Sequence, residues 1–231
     1  MGTGIDYTLA DGVATITMDD GKVNVLSPHM LAELNAALDR AEADGAAVVL
    51  SGRSGVFSAG FDLAVLRADG PAAAAMLRSG FKLAARLLGF PAPVLAVCSG
   101  HAVAMGVFLL LSADYRIGAA GPFRITANEV AIGLTMPQAA IELCQARLTP
   151  AAFSGAVTLA EVYSPQEAAA AGFLDRVADA ADLGPAVSAA AGRLAQLDRR
   201  AHAATKLRAR RALIESVTAA ADAEFGAAGA A

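Results

Sequence analysis

Three short segments of this 231-residue chain carry residue types suited to one chemistry: holding a negative oxygen beside an acid that moves protons. The first is Phe57-Ser58-Ala59-Gly60-Phe61-Asp62-Leu63, which reads as a buried strand end, a turn of small residues and the first residues of a helix. Ala59 and Gly60 carry almost no side chain, so backbone can approach a ligand closely there. The first N–H groups of a helix lack intrahelical partners and sit at the positive end of its dipole, which favours an anionic oxygen. The second segment, Val97-Cys98-Ser99-Gly100-His101-Ala102-Val103-Ala104-Met105-Gly106, repeats that logic. Two such junctions aimed at one point would supply two converging donors, each worth roughly 3–4 kcal/mol of barrier when well placed. Taken singly, either is also an ordinary strand–turn–helix connection.

The third segment is Ala127-Asn128-Glu129-Val130-Ala131-Ile132-Gly133, a lone carboxylate leading into an apolar run. Glu129 could be a solvated loop acid or a helix-start carboxylate. In an apolar pocket its pKa would rise towards neutrality, as a carboxylate needs in order to take a proton from carbon and return it.

The elements that must position these segments follow from pattern. Tyr7-Thr8-Leu9 and Val13 to Met18 flank Asp11-Gly12, a hairpin signature. Ser27-Pro28 caps and starts a helix whose Leu31, Leu34 and Leu38 share one face. Ala46 to Ser51 and Pro93 to Ser99 read as buried strands, Pro71 to Leu88 as a helix ending near Gly89, and Gly100 to Ala104 as a turn before a helix from Met105 to Leu111. Tyr115-Arg116-Ile117 and Phe123-Arg124-Ile125 read as short strands, and helices dominate from about Pro137 onward. Repeated strand–strand–helix units followed by helices predict an α/β or α+β fold with one main domain. The small residues Gly226 to Ala231 predict a frayed end.

Composition narrows the partners. The chain is 56% hydrophobic with a net charge of −4, which excludes general disorder and gives no pull towards nucleic acid or an anionic membrane. The apolar stretch from Val94 to Ala113 approaches spanning length, yet Ser99, Gly100 and His101 interrupt it, so a strand, a turn and a buried helix explain it better. Cys98 and Cys144 lie far apart in apolar runs as free thiols, and no Cys/His spacing predicts a metal site. A soluble cytoplasmic protein is the expectation. Asp114 and Arg116 read as a structural pair, and Lys206, Arg208, Arg210 and Arg211 as either a solvated basic face or a phosphate contact.

Taken in order, Val56 to Leu63, Ser99-Gly100-His101-Ala102 running to Met105-Gly106, Asp114-Tyr115-Arg116-Ile117, and Asn128 to Gly133 resemble the crotonase (enoyl-CoA hydratase/isomerase) family. The likeness extends from the first hairpin to the Ala204-Thr205-Lys206 helix. It implies a spiral of ββα units over residues 1–180 carrying an acyl-CoA site, and a helical region over 181–231 that builds homotrimers or hexamers and covers the coenzyme A site. Coenzyme A would enter as part of the substrate, with no separate cofactor. The resemblance places oxyanion donors at the backbone N–H groups of Phe61 and Met105, and the adenine near Ser58, Ala59 and Gly60, with Asp62 and Leu63 beside them. It sets Lys22 and Val23 near the pantetheine entry and Lys206 near the phosphates. Gly106, Phe108 and Asn128 complete the expected lining.

Two positions depart from the family pattern. Ala104-Met105-Gly106 stands where a run of glycines is common, so the Met105 side chain must point away from the thioester. Phe108 stands where hydratases of the family carry a first glutamate. Hydration needs two carboxylates around a water, whereas one carboxylate suffices to move a proton from C2 to C4 of a 3-enoyl thioester. The pattern therefore resembles the Δ3,Δ2-enoyl-CoA isomerase branch. A hydratase, another enolate-forming reaction or a non-catalytic acyl-CoA-binding homologue are the alternatives.

Overall fold

Asp11 and Gly12 both take positive φ, 51° and 74°, the geometry of a two-residue hairpin loop whose twist matches its strands. They join β1 (Gly4–Ala10) to β2 (Val13–Asp19), antiparallel with Ala10 opposite Val13. The structure is a computed structural model that describes residues 4–68 and 70–226, so the tail expected to fray lies outside the described residues from 227 onward.

The chain continues through β3 (Val25–Leu26), α1 (Pro28–Asp44), β4 (Ala47–Gly52), β5 (Gly55–Ser58), β6 (Gly60–Phe61), α2 (Leu63–Arg67) and α3 (Pro71–Gly89). Next come β7 (Val94–Cys98), β8 (Gly100–Val103), α4 (Met105–Ser112), β9 (Tyr115–Ala119), β10 (Ile125–Thr126) and a single 3-10 turn at Val130–Ile132. The last part holds α5 (Gln138–Arg147), α6 (Pro150–Thr158), α7 (Pro165–Ala171), β11 (Arg176–Ala178), α8 (Ala180–Ala195) and α9 (Arg199–Phe225).

Strands sort into two main sheets in a regular way. The larger has the order β1-β2-β4-β7-β9-β11, and the smaller β10-β8-β5. Each repeat sends its first strand (β4, β7, β9) to the larger sheet and its second (β5, β8, β10) to the smaller before a helix follows. This is the ββα spiral that the resemblance implied. The Gly100–Ala104 segment, expected as a turn, is instead mostly strand β8, because β5 and β10 pair with it on either side.

Strand β7 explains why the sheet is central. All five of its residues are buried, and a continuous apolar run of this kind is what a strand covered on both faces requires. Val94, Ala96 and Cys98 face the main core, while Leu95 and Val97 face a second cluster with Ala186 and Ala190 of α8. The apolar stretch 94–113 thus divides into β7, β8 and α4, and no described helix is long and apolar enough to cross a membrane.

Local signals set the helix ends. Ser27 Oγ accepts from Met30 N at 3.2 Å, and Gly45 closes α1 at φ 62°, a left-handed conformation that costs a residue without Cβ least. Helix α9 has 27 residues, about 40 Å at helical rise. It lies along α3 and α5, and its Val217 and Ala221 are fully buried in the same core as the N-terminal strands.

Lys206 does not project towards a ligand as the resemblance implied. Its Nζ donates to Asp114 Oδ2 at 2.7 Å and to Ala92 O at 3.3 Å, and the side chain is 3% exposed. Asp114 also accepts from Val94 N at 2.7 Å and pairs with Arg210 at 2.8 Å. The expected Asp114–Arg116 pair is absent, since Arg116 binds Asp175 at 2.7 and 2.8 Å instead. Burial lowers the Lys206 ammonium to about 8, with Asp114 opposing that shift. Asp114 thus ties α9 to the start of β7. Removing it strands a buried ammonium, so Asp114→Ala should cost about 3–5 kcal/mol in urea unfolding at pH 7, with Lys206→Met costing less.

Candidate active site

The two small-residue segments meet at Gly60. Its φ is +86°, and a Cβ there would lie 2.8 Å from Ala104 Cβ, 2.9 Å from Val103 O and 3.2 Å from Met105 N. Only a residue without a side chain permits this approach. The cost reappears at Ala104, which holds φ 50° and ψ −125°, a conformation strained for any residue with a Cβ.

The junctions are not equivalent, contrary to the sequence reading. Met105 is the first residue of α4, so its N–H lies among those with no partner inside the helix. Phe61 instead lies in β6, paired in parallel with Leu26, one residue before Asp62 caps the five-residue α2. Asp62 Oδ1 accepts from Ala64 N at 2.8 Å. A dipole argument therefore belongs to Met105 and not to Phe61.

Side chains of both residues turn away from the meeting point. Met105 is fully buried, and its Cε methyl lies 3.6 Å from where a Gly80 Cβ would stand. The Phe61 ring occupies that same space, so any side chain at Gly80 would collide with it. Gly80, in the middle of α3, is thus the seat for both, which accounts for how a side chain as long as methionine fits at position 105.

Around this point lies a cavity of ≈ 630 Å³. Ala59, Phe61, Ala104, Asn128 and Glu129 border one part, while Leu63, Leu66, Leu77, Phe81, Ile132, Leu134, Met136 and Phe225 make most of the wall. Glu129 is 7% exposed, and its Oε2 has no hydrogen-bond partner; nor does Asn128 Oδ1. Burial pushes the Glu129 carboxyl from its ordinary 4.5 up to about 7. Glu224 also borders the cavity, but its two oxygens accept from Gln138 N at 2.9 and 3.2 Å, capping α5.

Phe108, expected in the wall, sits one layer behind it. It is 1% exposed and packs on Phe81, ring centroids 6.0 Å apart. Phe81 in turn touches Phe61 at 6.1 Å and Phe225 at 6.1 Å. Gly106 and Ser58 also lie below the surface: a Cβ on Gly106 would stand 2.7 Å from Ser58 O. Ser58 Oγ donates to Asn24 O at 2.7 Å and accepts from Gly60 N at 3.1 Å, so it shapes the turn and is not open to a ligand. Lys206 lines a separate recess with Asp114, His202 and Arg210.

A second recess of ≈ 370 Å³ opens on the other side of Ala59, which borders both spaces. Lys22, Val23, Arg53 and His101 line it. His101 Nδ1 accepts from Arg124 N at 3.0 Å, which leaves Nε2 as the proton-bearing nitrogen of the neutral ring. Arg53 was missed from sequence, as were Phe81, Glu224 and Phe225. Arg53 sits in a short loop next to the first small-residue segment, a signal that could have marked it. The other three lie on helices far away in sequence, with only ordinary core or surface patterning.

The fold and this site together define the crotonase class, a ββα spiral with a buried glutamate beside two converging backbone segments. The chain belongs to the enoyl-CoA hydratase/isomerase family, whose model matches residues 8–227. A solved enoyl-CoA isomerase of Mycobacterium tuberculosis is 46% identical, with a TM-score of 0.93 over 98% of this chain and 100% of that one. A probable enoyl-CoA hydratase of Rhodobacter capsulatus is 38% identical over 117 residues, 50% of this chain and 46% of that protein. The human mitochondrial enoyl-CoA delta isomerase 1 is 31% identical over 171 residues, 72% of this chain and 57% of that protein. The chain thus spans about half the length of these two curated relatives.

The raised Glu129 carboxyl has a stability consequence with a definite sign. Below about pH 4.5 the group is protonated in both folded and unfolded chains. As pH rises through the window to about 7 the unfolded chain ionises first, so stability falls, and the full penalty stands above about 7. Glu129→Gln removes that penalty. It should raise unfolding stability by about 3 kcal/mol at pH 8 and leave it nearly unchanged at pH 4, as read by urea midpoints.

Proposed function

We propose that this chain moves a double bond from the 3- to the 2-position of an enoyl-CoA thioester. Glu129 takes a proton from C2 and returns it at C4. The charge that develops between those steps rests on the thioester oxygen, held by the backbone N–H groups of Phe61 and Met105. One observation carries the reading: Glu129 is the carboxylate in the cavity with a buried, unpartnered oxygen, while Glu224 is exposed and caps α5 through Gln138 N. A reaction that uses one acid/base and no water suits an apolar wall, because the wall excludes water from the enolate.

Coenzyme A would lie across Ala59, with its acyl part on the Glu129 side and its phosphates towards Lys22 and Arg53. Asp62 holds α2 so that Leu63 borders the acyl side. A trimer or a dimer of trimers is the assembly proposed, with α8 and α9 in the region of residues 181–231.

Hydration is the second reading. Relatives are named both as isomerase and as hydratase, and Glu224 borders the same cavity as Glu129. Loss of the enoyl absorbance of crotonyl-CoA at a rate matching 3-enoyl isomerisation would favour it.

Glu129→Gln should lower isomerisation at least about 10³-fold while thioester binding persists, because the base is removed but the donors remain. Full activity in that variant would end the assignment. In the unaltered protein, kcat/KM should rise with pH to a plateau with an apparent pKa near 7, as the carboxylate form accumulates. Arg53→Ala should raise the Kd for coenzyme A thioesters by about 5- to 10-fold, an effect weakened by added salt.

A further inference from the structure

The cavity beside Glu129 is lined along α3, and Glu224 and Phe225 near the end of α9 border it too. Gly70, Ala73, Ala74, Leu77 and Phe81 face it, at spacings of three and four that put them on one helix side. They grow from no side chain to a full ring. Gly70, Ala74 and Leu77 are half-buried, whereas Ala73 is 7% and Phe81 0% exposed. The bulkiest and most deeply buried of these residues, Phe81, therefore stands at one end of the row.

Phe225 lies flat on Phe81, ring planes 7° apart and centroids 6.1 Å apart. Its position is held from two sides. Glu224 accepts from Gln138 N of α5, and Asp222 pairs with Arg78 and Lys82 of α3 at 2.6 and 3.1 Å. These contacts tie the last turn of α9 to α3 and α5.

We infer that this cavity takes the hydrocarbon tail of a straight-chain acyl thioester, and that Phe225 sets the length of tail it accepts. The inference rests on reading the cavity as the acyl site. Apart from Asn128 and Glu129 at the reacting end, its polar lining is Thr135 and Glu224. Glu224 is itself anionic and, among the described residues, no Lys, Arg or His lines the cavity, so a tail ending in a carboxylate would lose its hydration without replacement. A volume of ≈ 630 Å³ holds on the order of ten methylene-sized groups once incomplete filling is allowed for. Short acyl groups would leave much of it empty.

Calorimetric binding of saturated thioesters tests this without turnover. The series runs from butyryl-CoA to hexadecanoyl-CoA, with glutaryl-CoA as the polar-ended member. In the unaltered protein, Kd should fall by up to about fourfold per added methylene and then level off at a break. Phe225→Ala and Phe225→Leu should move the break to longer chains, and Phe225→Trp to shorter ones. Leu and Trp keep an apolar side chain on the α3 face, so they carry the test if the alanine variant fails to fold. Glutaryl-CoA should bind at least about tenfold more weakly than hexanoyl-CoA. An affinity independent of chain length, a break unmoved in the Phe225 variants, or equal binding of glutaryl-CoA would each overturn the inference. An intact series without isomerase turnover would support it and count only against the proposed reaction.

Discussion

Everything at this site depends on two stretches of backbone coming closer than side chains ordinarily allow. Gly60 faces Ala104, Val103 and Met105 N at distances that a Cβ would violate. Ala104 accepts a conformation that costs free energy directly before Met105, the first residue of α4. Neither residue would be placed so by its own preference. The two-sheet spiral holds them there, since β5 and β8 pair side by side and bring the ends of both strands to the same edge.

The second constraint is dryness. An apolar wall raises the Glu129 carboxyl because the charged form loses its water, and nothing nearby with opposite charge offsets the loss. That wall is organised around Phe81, whose ring touches Phe61, Phe108 and Phe225 at 6.0–6.1 Å. One ring therefore connects Phe61 of β6, the core of α4 and the C-terminal helix. Gly80 beside it leaves room for the Phe61 ring and the Met105 methyl. The large side chains of Phe61 and Met105 are taken up by packing, which leaves their backbone at the meeting point.

Much of this was legible from residue order. The Asp11-Gly12 hairpin, the Ser27 cap and the buried run of β7 follow from local pattern and appear in the structure. Glu129 could be singled out because an isolated acid leads into apolar residues. Lys206 misled for a physical reason: a lysine amid arginines on a long helix looks solvated, yet its Nζ lies under α9 against Asp114. Phe108 misled by one layer of packing, since a helix fully buried on all sides gives no periodicity to say which neighbour each residue meets.

The sequence by itself determined the class of fold, the order of the units and the identity of the small-residue segments and the acid. These depend on local conformational preference and on motifs a few residues long. Only the tertiary structure decided what surrounds them: that Phe225 and Phe61 border one cavity, that Arg53 shares a recess with Lys22, and that Glu224 caps α5 at Gln138. Such pairings join residues up to 164 positions apart, as in Phe61 and Phe225. No local pattern encodes them, because a side chain's surroundings are set by which elements pack together and at what depth, and that is a property of the whole folded chain.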